Sequence, residues 1–206
     1  MAKIKICGIK RIEDINAINQ VLPDFIGFVF AESKRRISLN EAVILKKLLN
    51  PAVKTVGVFV NESVNTIIEL CDLKVIDLVQ LHGDENESYI LELKNSIKNP
   101  IIKAIRVRSR QDIKAAEDLP CDYLLLDSYK DNAYGGTGKT FDWSLIPKIS
   151  ERKKPFFLAG GINRDNLSFA LSAKPYCIDV SSGVETDGKK DPEKIKEIVN
   201  LLRKQN

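Results

Sequence analysis

The chain has 206 residues, 44% of them hydrophobic and 29% charged, with a net charge of +4. That length suits one domain, residues 1–206, with a substantial core. The scattered lysines argue against a nucleic-acid partner and leave room for a small anionic ligand. No run approaches the roughly 18 apolar residues of a membrane helix, and the first residues lack a signal peptide's apolar core, so a cytoplasmic protein without a membrane partner is expected.

Cys7, Cys71, Cys121 and Cys177 are widely spaced, with no Cys-x-x-Cys pair and only His82 to join them. Neither a zinc site nor a disulfide framework is expected, and a reducing compartment follows.

In chain order, one unit repeats: a short apolar run, a glycine-rich or polar turn, then an amphipathic helix. Strands are expected at residues 4–7, 25–30, 55–60, 75–81, 101–105, 123–127, 155–159 and 177–180. Several are apolar throughout, as in a parallel sheet covered on both faces. Helices are expected over residues 41–49, with Ala42, Leu45, Leu48 and Leu49 on one side, and over 64–70 and 89–97. Asn163 is positioned to cap a helix running to Ala170, and Asp191-Pro192 opens the last one. Eight strands alternating with about eight helices predict a compact (β/α)₈ TIM barrel. A doubly wound open sheet is the competing architecture. Its nucleotide fingerprint is missing, because the first turn reads Cys7-Gly8-Ile9-Lys10 and not Gly-x-Gly-x-x-Gly. The Tyr134-Gly135-Gly136-Thr137-Gly138 stretch is expected to be a mobile loop of the sixth unit.

In such a barrel the C-terminal strand ends face the active site. That rule collects Cys7, His82, Asp127, Gly160-Gly161 and Asp179-Val180-Ser181-Ser182-Gly183 at one rim, with Ser33-Lys34-Arg35-Arg36 after the second strand. Cys7 can be a packing thiol, a nucleophile or a base. Asp127 follows three leucines, where desolvation favours the protonated form and suits a general acid, although a structural hydrogen-bond acceptor reads the same way. The Gly160-Gly161 and Ser181-Ser182-Gly183 loops bring backbone N–H groups near an anion and suggest a phosphate site. Arg35 or Arg36 can grip a carboxylate, or both can be solvated. His82 can touch ligand or serve as a structural hydrogen-bonding group. Cys71, Cys121 and Cys177 read as packing thiols.

Taken in order, Lys5-Ile6-Cys7-Gly8, Gly27-Phe28-Val29-Phe30, Ser33-Lys34-Arg35, Val56-Gly57-Val58-Phe59-Val60-Asn61 and Val79-Gln80-Leu81-His82-Gly83 resemble the phosphoribosylanthranilate isomerases. So do Leu126-Asp127, the stretch from Gly136-Thr137-Gly138-Lys139 to Trp143, Ala159-Gly160-Gly161-Ile162 and Asp179-Val180-Ser181-Ser182-Gly183-Val184-Glu185. Each motif alone is weak; the ordered set spans nearly the whole chain and is specific. The resemblance implies a (β/α)₈ barrel acting on a phosphosugar, N-(5′-phosphoribosyl)anthranilate, by an Amadori rearrangement in tryptophan synthesis. It implies no metal or organic cofactor; the sequence leaves monomer and homodimer open. By position, Cys7 corresponds to the general base, Asp127 to the general acid and Arg35 to the group holding the anthranilate carboxylate. His82 and Asp179 join the substrate contacts, and Gly160, Gly161, Ser181, Ser182 and Gly183 form the phosphate grip. Arg36 departs from the pattern, standing where an uncharged residue is common. A thiol of ordinary acidity is only a few per cent ionised at neutral pH, so Cys7 needs help from Lys5 or from a cationic intermediate. Two rival readings are weighed. A histidine-pathway phosphosugar isomerase carries aspartate where Cys7 stands, and a non-catalytic phosphosugar-binding barrel has no use for both Cys7 and Asp127.

Overall fold

The computed structural model describes residues 1–128 and 140–205. Eight parallel strands form a closed barrel in chain order: β1 (Lys3–Cys7), β2 (Phe25–Val29), β3 (Lys54–Phe59), β4 (Leu78–Leu81), β5 (Ile101–Val107), β6 (Tyr123–Ser128), β7 (Phe156–Leu158) and β8 (Cys177–Val180). The seam is the β1–β8 pairing, which sets Lys5 opposite Asp179. Seven α-helices are described: α1 (Ile12–Val21), α2 (Leu39–Leu48), α3 (Val64–Asp72), α4 (Glu87–Ser96), α5 (Arg110–Ala116), α6 (Leu167–Ser172) and α7 (Pro192–Gln205). A hairpin of β9 (Glu185–Thr186) and β10 (Lys189–Lys190) follows β8.

The apolar strands have partners on both faces, which is why they do not alternate in polarity. One core lies between barrel and helices. A second fills the barrel interior with Phe25, Val56, Leu78, Ile102, Ala104, Leu125, Phe157, Ala159 and Cys177. Because strand side chains alternate with period two, the residues above this plug on the same face are Gly27, Gln80, Asp127 and Asp179. A recurring device ties the strands at the other end. Asp24, Asp77 and Asp122, each just ahead of an even-numbered strand, accept the backbone N–H of Ile4, Thr55 and Ile101 at 2.7–2.9 Å.

Several local boundaries differ from the sequence expectation. Helix α2 starts at Leu39 because Ser38 and Glu41 form a reciprocal cap, and Leu48 faces solvent away from buried Ala42 and Leu45. β4 begins at Leu78: Val75 and Ile76 are buried in the approach to it, where Val75 N–H donates to Leu70 O. Helix α6 starts after Asn166, which makes no side-chain cap hydrogen bond, and Asn163 accepts the N–H groups of Asp165 and Asn166 in the preceding turn. Between β6 and β7 the described residues hold two 3₁₀ turns, Trp143–Leu145 and Ile149–Glu151, and no α-helix. Pro147 has no N–H to continue a helix there. The expected mobile loop at 134–138, with the Gly136 to Lys139 part of the resemblance, lies outside the described residues. No described helix is long and apolar enough to cross a membrane.

Candidate active site

A cavity of about 340 Å³ opens at the C-terminal strand ends. Cys7, Arg35, His82, Asp127, Gly160, Gly161, Asp179, Ser181 and Ser182 all line it. Nine of the ten residues singled out from sequence therefore meet in one place. Gly183 stands behind the wall: a Cβ there would sit 2.0 Å from Ile162 O, so its lack of a side chain lets the β7 and β8 loops pack together.

Cys7 ends β1 and keeps part of its surface open to the cavity. Its thiol is pushed above the ordinary value by burial. Lys5 pulls it back, Asp179 pushes it up again and Lys190 opposes; burial wins. The sequence expectation of a nearby cation is thus met, but it does not outweigh desolvation. Lys5 is fully buried on the same interior face of β1, where its ammonium donates to Gln80 Oε1 and Asp179 Oδ2, each at 2.8 Å. Burial disfavours that charge; Asp179 and Cys7 outweigh it and leave Lys5 more basic than usual. The other carboxylate oxygen, Asp179 Oδ1, is buried without a hydrogen-bond partner among the described residues.

Asp127 is buried at the end of β6. Its Oδ1 accepts the Ser128 N–H at 2.7 Å, and its Oδ2 lies 3.3 Å from His82 Nε2. That contact falls short of hydrogen-bond geometry, and His82 Nε2 is buried without a partner among the described residues. On the other side of the ring, His82 Nδ1 lies 2.8 Å from Gln80 Nε2.

The two neighbouring arginines separate cleanly. Arg35 turns inward and its Nε and Nη2 donate to the two Glu185 carboxylate oxygens, both at 2.7 Å. Arg36 is exposed and pairs with Glu32. Gly8, at φ +85°, leaves the space that Arg35 crosses: a Cβ would lie 2.4 Å from Arg35 Cδ. Glu185 also accepts from Lys190 Nζ at 2.7 Å. Burial alone would push Glu185 up, but Arg35 and Lys190 outweigh it and bring it down to about 2. Lys190 in turn donates to Ser181 O, and Ser181 Oγ donates to Cys7 O at 3.1 Å. Across the rim, Gly160 and Gly161 adopt φ of +86° and +65°. A Cβ on Gly160 would lie 2.8 Å from Ser128 N and 2.9 Å from Asp127 Oδ1, so this glycine lets the β7 loop approach the acid.

Sequence reasoning did not assign Gln80, Glu185 or Lys190 a place in the site. Gln80 and Glu185 fell within quoted motifs, but nothing in their spacing marked them. Among the described residues no group of three or more His, Cys, Asp or Glu side chains is arranged to hold a metal ion. The arrangement offers a thiol, a carboxyl group, a guanidinium and two glycine- and serine-bearing loops around one cavity, a set suited to moving protons on an anionic substrate.

Known proteins share this architecture over its full length. Residues 4–201 match the family model described as N-(5′-phosphoribosyl)anthranilate (PRA) isomerase. The N-(5′-phosphoribosyl)anthranilate isomerase of Endomicrobium trichonymphae is 52% identical over 204 residues, covering 98% of this chain and 99% of that protein. A solved phosphoribosyl anthranilate isomerase in complex with reduced 1-(o-carboxyphenylamino)-1-deoxyribulose 5-phosphate is 35% identical. It superposes with a TM-score of 0.86 over 99% of this chain and 100% of its own. Generated monomers of the dimeric enzyme from Thermotoga maritima give a TM-score of 0.84 at 35% identity, with the same coverage. Matched in sequence and in barrel geometry from β1 into α7, the chain belongs to the phosphoribosylanthranilate isomerase family.

Proposed function

We propose that Cys7 is the general base and Asp127 the general acid of an Amadori rearrangement in this cavity. The family's reaction converts N-(5′-phosphoribosyl)anthranilate to 1-(2-carboxyphenylamino)-1-deoxyribulose 5-phosphate in tryptophan biosynthesis, and this chain is an isomerase of that aldose–ketose type. The observation that carries the assignment is that Cys7 and Asp127, from β1 and β6, line one cavity between the Arg35 guanidinium and the β7 and β8 loops. Arg35 takes the anthranilate carboxylate through its Nη1 side, since Glu185 occupies Nε and Nη2. Val29, Val58 and Val60 supply an apolar wall for the aromatic ring. Gly160, Gly161, Ser181 and Ser182 hold the phosphate, with Gly183 setting the spacing of their loops. Asp179, which lines the cavity and whose buried Oδ1 has no partner among the described residues, accepts a ribose hydroxyl.

The chemistry follows from these positions. Protonated Asp127 gives its proton to the furanose oxygen as the anthranilate nitrogen pushes open the C1′–O bond. The iminium so formed acidifies the C2′ proton, and Cys7 removes it as thiolate to leave an enolamine. Because burial outweighs Lys5 and Lys190 in the free site, the thiolate becomes favourable as the iminium charge develops beside it. The cycle closes when the thiol protonates C1′ and the 2′-hydroxyl proton returns to Asp127, leaving a ketone. Every proton that moves on the substrate is carried by these two side chains, and the proton that the resting Cys7 thiol loses on becoming thiolate passes to water and is regained after turnover. A reducing compartment, the cytoplasm, suits an enzyme whose cysteines are all free thiols. We further take the chain as one barrel domain, working as a monomer or homodimer on a small phosphosugar without nucleic-acid or membrane partners.

Turnover is followed by the loss of phosphoribosylanthranilate fluorescence. Cys7→Ala and Asp127→Asn should each lower kcat by at least about 10²-fold, the scale of general acid–base groups, with KM little changed. Near-normal kcat in either variant removes that residue from the mechanism.

A further inference from the structure

Gln80 stands between the two groups that exchange protons with the substrate. Its side chain is buried on the interior face of β4, two residues before His82 on the same face. Lys5 Nζ lies 2.8 Å from one amide atom, and His82 Nδ1 lies 2.8 Å from the other. An ammonium can only donate, so the amide atom facing Lys5 must be the oxygen. The amide NH₂ then faces His82, and since it too can only donate, His82 Nδ1 must be the acceptor. A neutral imidazole with Nδ1 bare carries its proton on Nε2. That N–H lies 3.3 Å from Asp127 Oδ2, short of hydrogen-bond geometry, and is buried with no partner among the described residues. Catalytic contacts of this length commonly tighten when substrate closes the site.

We infer that Gln80 is a positioning residue for the reaction: one carboxamide holds the Lys5 ammonium beside Cys7 and fixes His82 in the tautomer that presents Nε2–H to Asp127. The inference rests on the assignment of base and acid to Cys7 and Asp127. It also explains why a polar amide occupies the barrel interior. Two negative charges appear together once the ring is open and the C2′ proton is about to leave, a carboxylate on Asp127 and a thiolate on Cys7. Lys5 and the His82 N–H face one each, and Gln80 sets both without touching either charge. A hydrogen-bonded amide spanning β1 to β4 therefore couples the base side of the cavity to the acid side.

The chain contains a single histidine, so ¹⁵N imidazole spectra of the whole protein report one ring. In the wild type at neutral pH, Nε2 should be protonated and Nδ1 bare. Gln80→Leu, which removes the donor to Nδ1, should mix the tautomers. Gln80→Glu, which keeps the shape but turns an acceptor toward Nδ1, should move the proton to Nδ1. Both variants should lose kcat by about 10- to 100-fold, the range of hydrogen bonds to charged groups, with KM within about threefold of wild type. Iodoacetamide should also alkylate Cys7 more slowly in Gln80→Leu, as Lys5 loses its anchor. A proton on Nδ1 in the wild type, as the other tautomer or as imidazolium, overturns the inference, as does unchanged kcat in both variants. Should Gln80→Leu fail to fold, the wild-type spectrum and Gln80→Glu still decide. The base assignment is tested apart from this by Cys7→Ala: full turnover there sinks that assignment, while the His82 tautomer in the wild type does not depend on it.

Discussion

Arg35 and Arg36 are adjacent in sequence and opposite in fate. Arg35 is held across the cavity by both oxygens of Glu185 and crosses a gap that only a glycine at position 8 leaves open. Arg36 makes one exposed pair with Glu32, a contact worth about 0–1 kcal/mol. Arg35→Ala should therefore raise KM about 10- to 100-fold, the cost of a charge-assisted hydrogen bond to a carboxylate, while Arg36→Ala stays within about twofold. Steady-state kinetics on the two variants checks the ranking, and the reverse order would mean that Arg36 holds the carboxylate. Nothing in the Ser33-Lys34-Arg35-Arg36 string separates the two chemically. The site reading from sequence chose Arg35 by its offset from Ser33, and the ion pair to Glu185, 150 residues away, gives the physical reason for its inward direction.

At the scale of elements, the loops after β7 and β8 behave as one piece. Gly183 packs against Ile162 O so closely that an added Cβ has no room and backbone must shift. Gly188, in the β9–β10 hairpin, has φ of +74° but nothing within 4 Å of a built Cβ. Gly183→Ala should cost about 1–3 kcal/mol by overpacking and also weaken phosphosugar binding, because Ser181 and Ser182 move with it. Gly188→Ala should show only the backbone penalty of about 1 kcal/mol, with binding unchanged. Thermal unfolding and titration with a product analogue distinguish the two, and equal binding by both variants would mean that the loops do not act together. The elements themselves were largely readable from hydrophobic periodicity, since all eight strands and α2, α3, α4, α6 and α7 correspond to expected segments. The exceptions have local causes. Reciprocal capping at Ser38 moved the start of α2, and Pro147 accompanies 3₁₀ turns in the sixth unit of the alternation.

At the scale of the molecule, charges from distant segments meet around the barrel mouth. Glu185 is the clearest case: its carboxyl falls to about 2 in the folded chain, against 4.5 ordinarily, because Arg35 and Lys190 outweigh the burial that would raise it. A carboxyl whose folded value is depressed adds stability above its unfolded value, and that stability is lost as pH falls through the folded one. Glu185 therefore contributes fully above about pH 4.5 and loses its contribution toward pH 2. Glu185→Gln should be less stable than wild type at neutral pH, and the gap should narrow steadily across that acid window. Denaturant unfolding at several pH values tests this, and a gap independent of pH would assign the loss to packing alone.

The sequence by itself determined the barrel, because a β/α unit repeated in order has few ways to bury its apolar strands on both faces. It also determined which residues reach the rim, since period-two alternation and the strand-end rule place Cys7, His82, Asp127 and Asp179 there. Only the tertiary structure decided how those groups are held. Gln80, Glu185 and Lys190 look like ordinary polar residues in the chain, and Lys5, although expected to assist Cys7, shows no sign there of its other partners, because burial and partnership are properties of the closed barrel. Lys5 meets Asp179 only when β1 pairs with β8, and it meets Gln80 only across the interior that closure creates. The physical reason is the range of the forces. Hydrophobic patterning is local and is written along each strand, whereas electrostatic and hydrogen-bond partners are chosen by proximity in space.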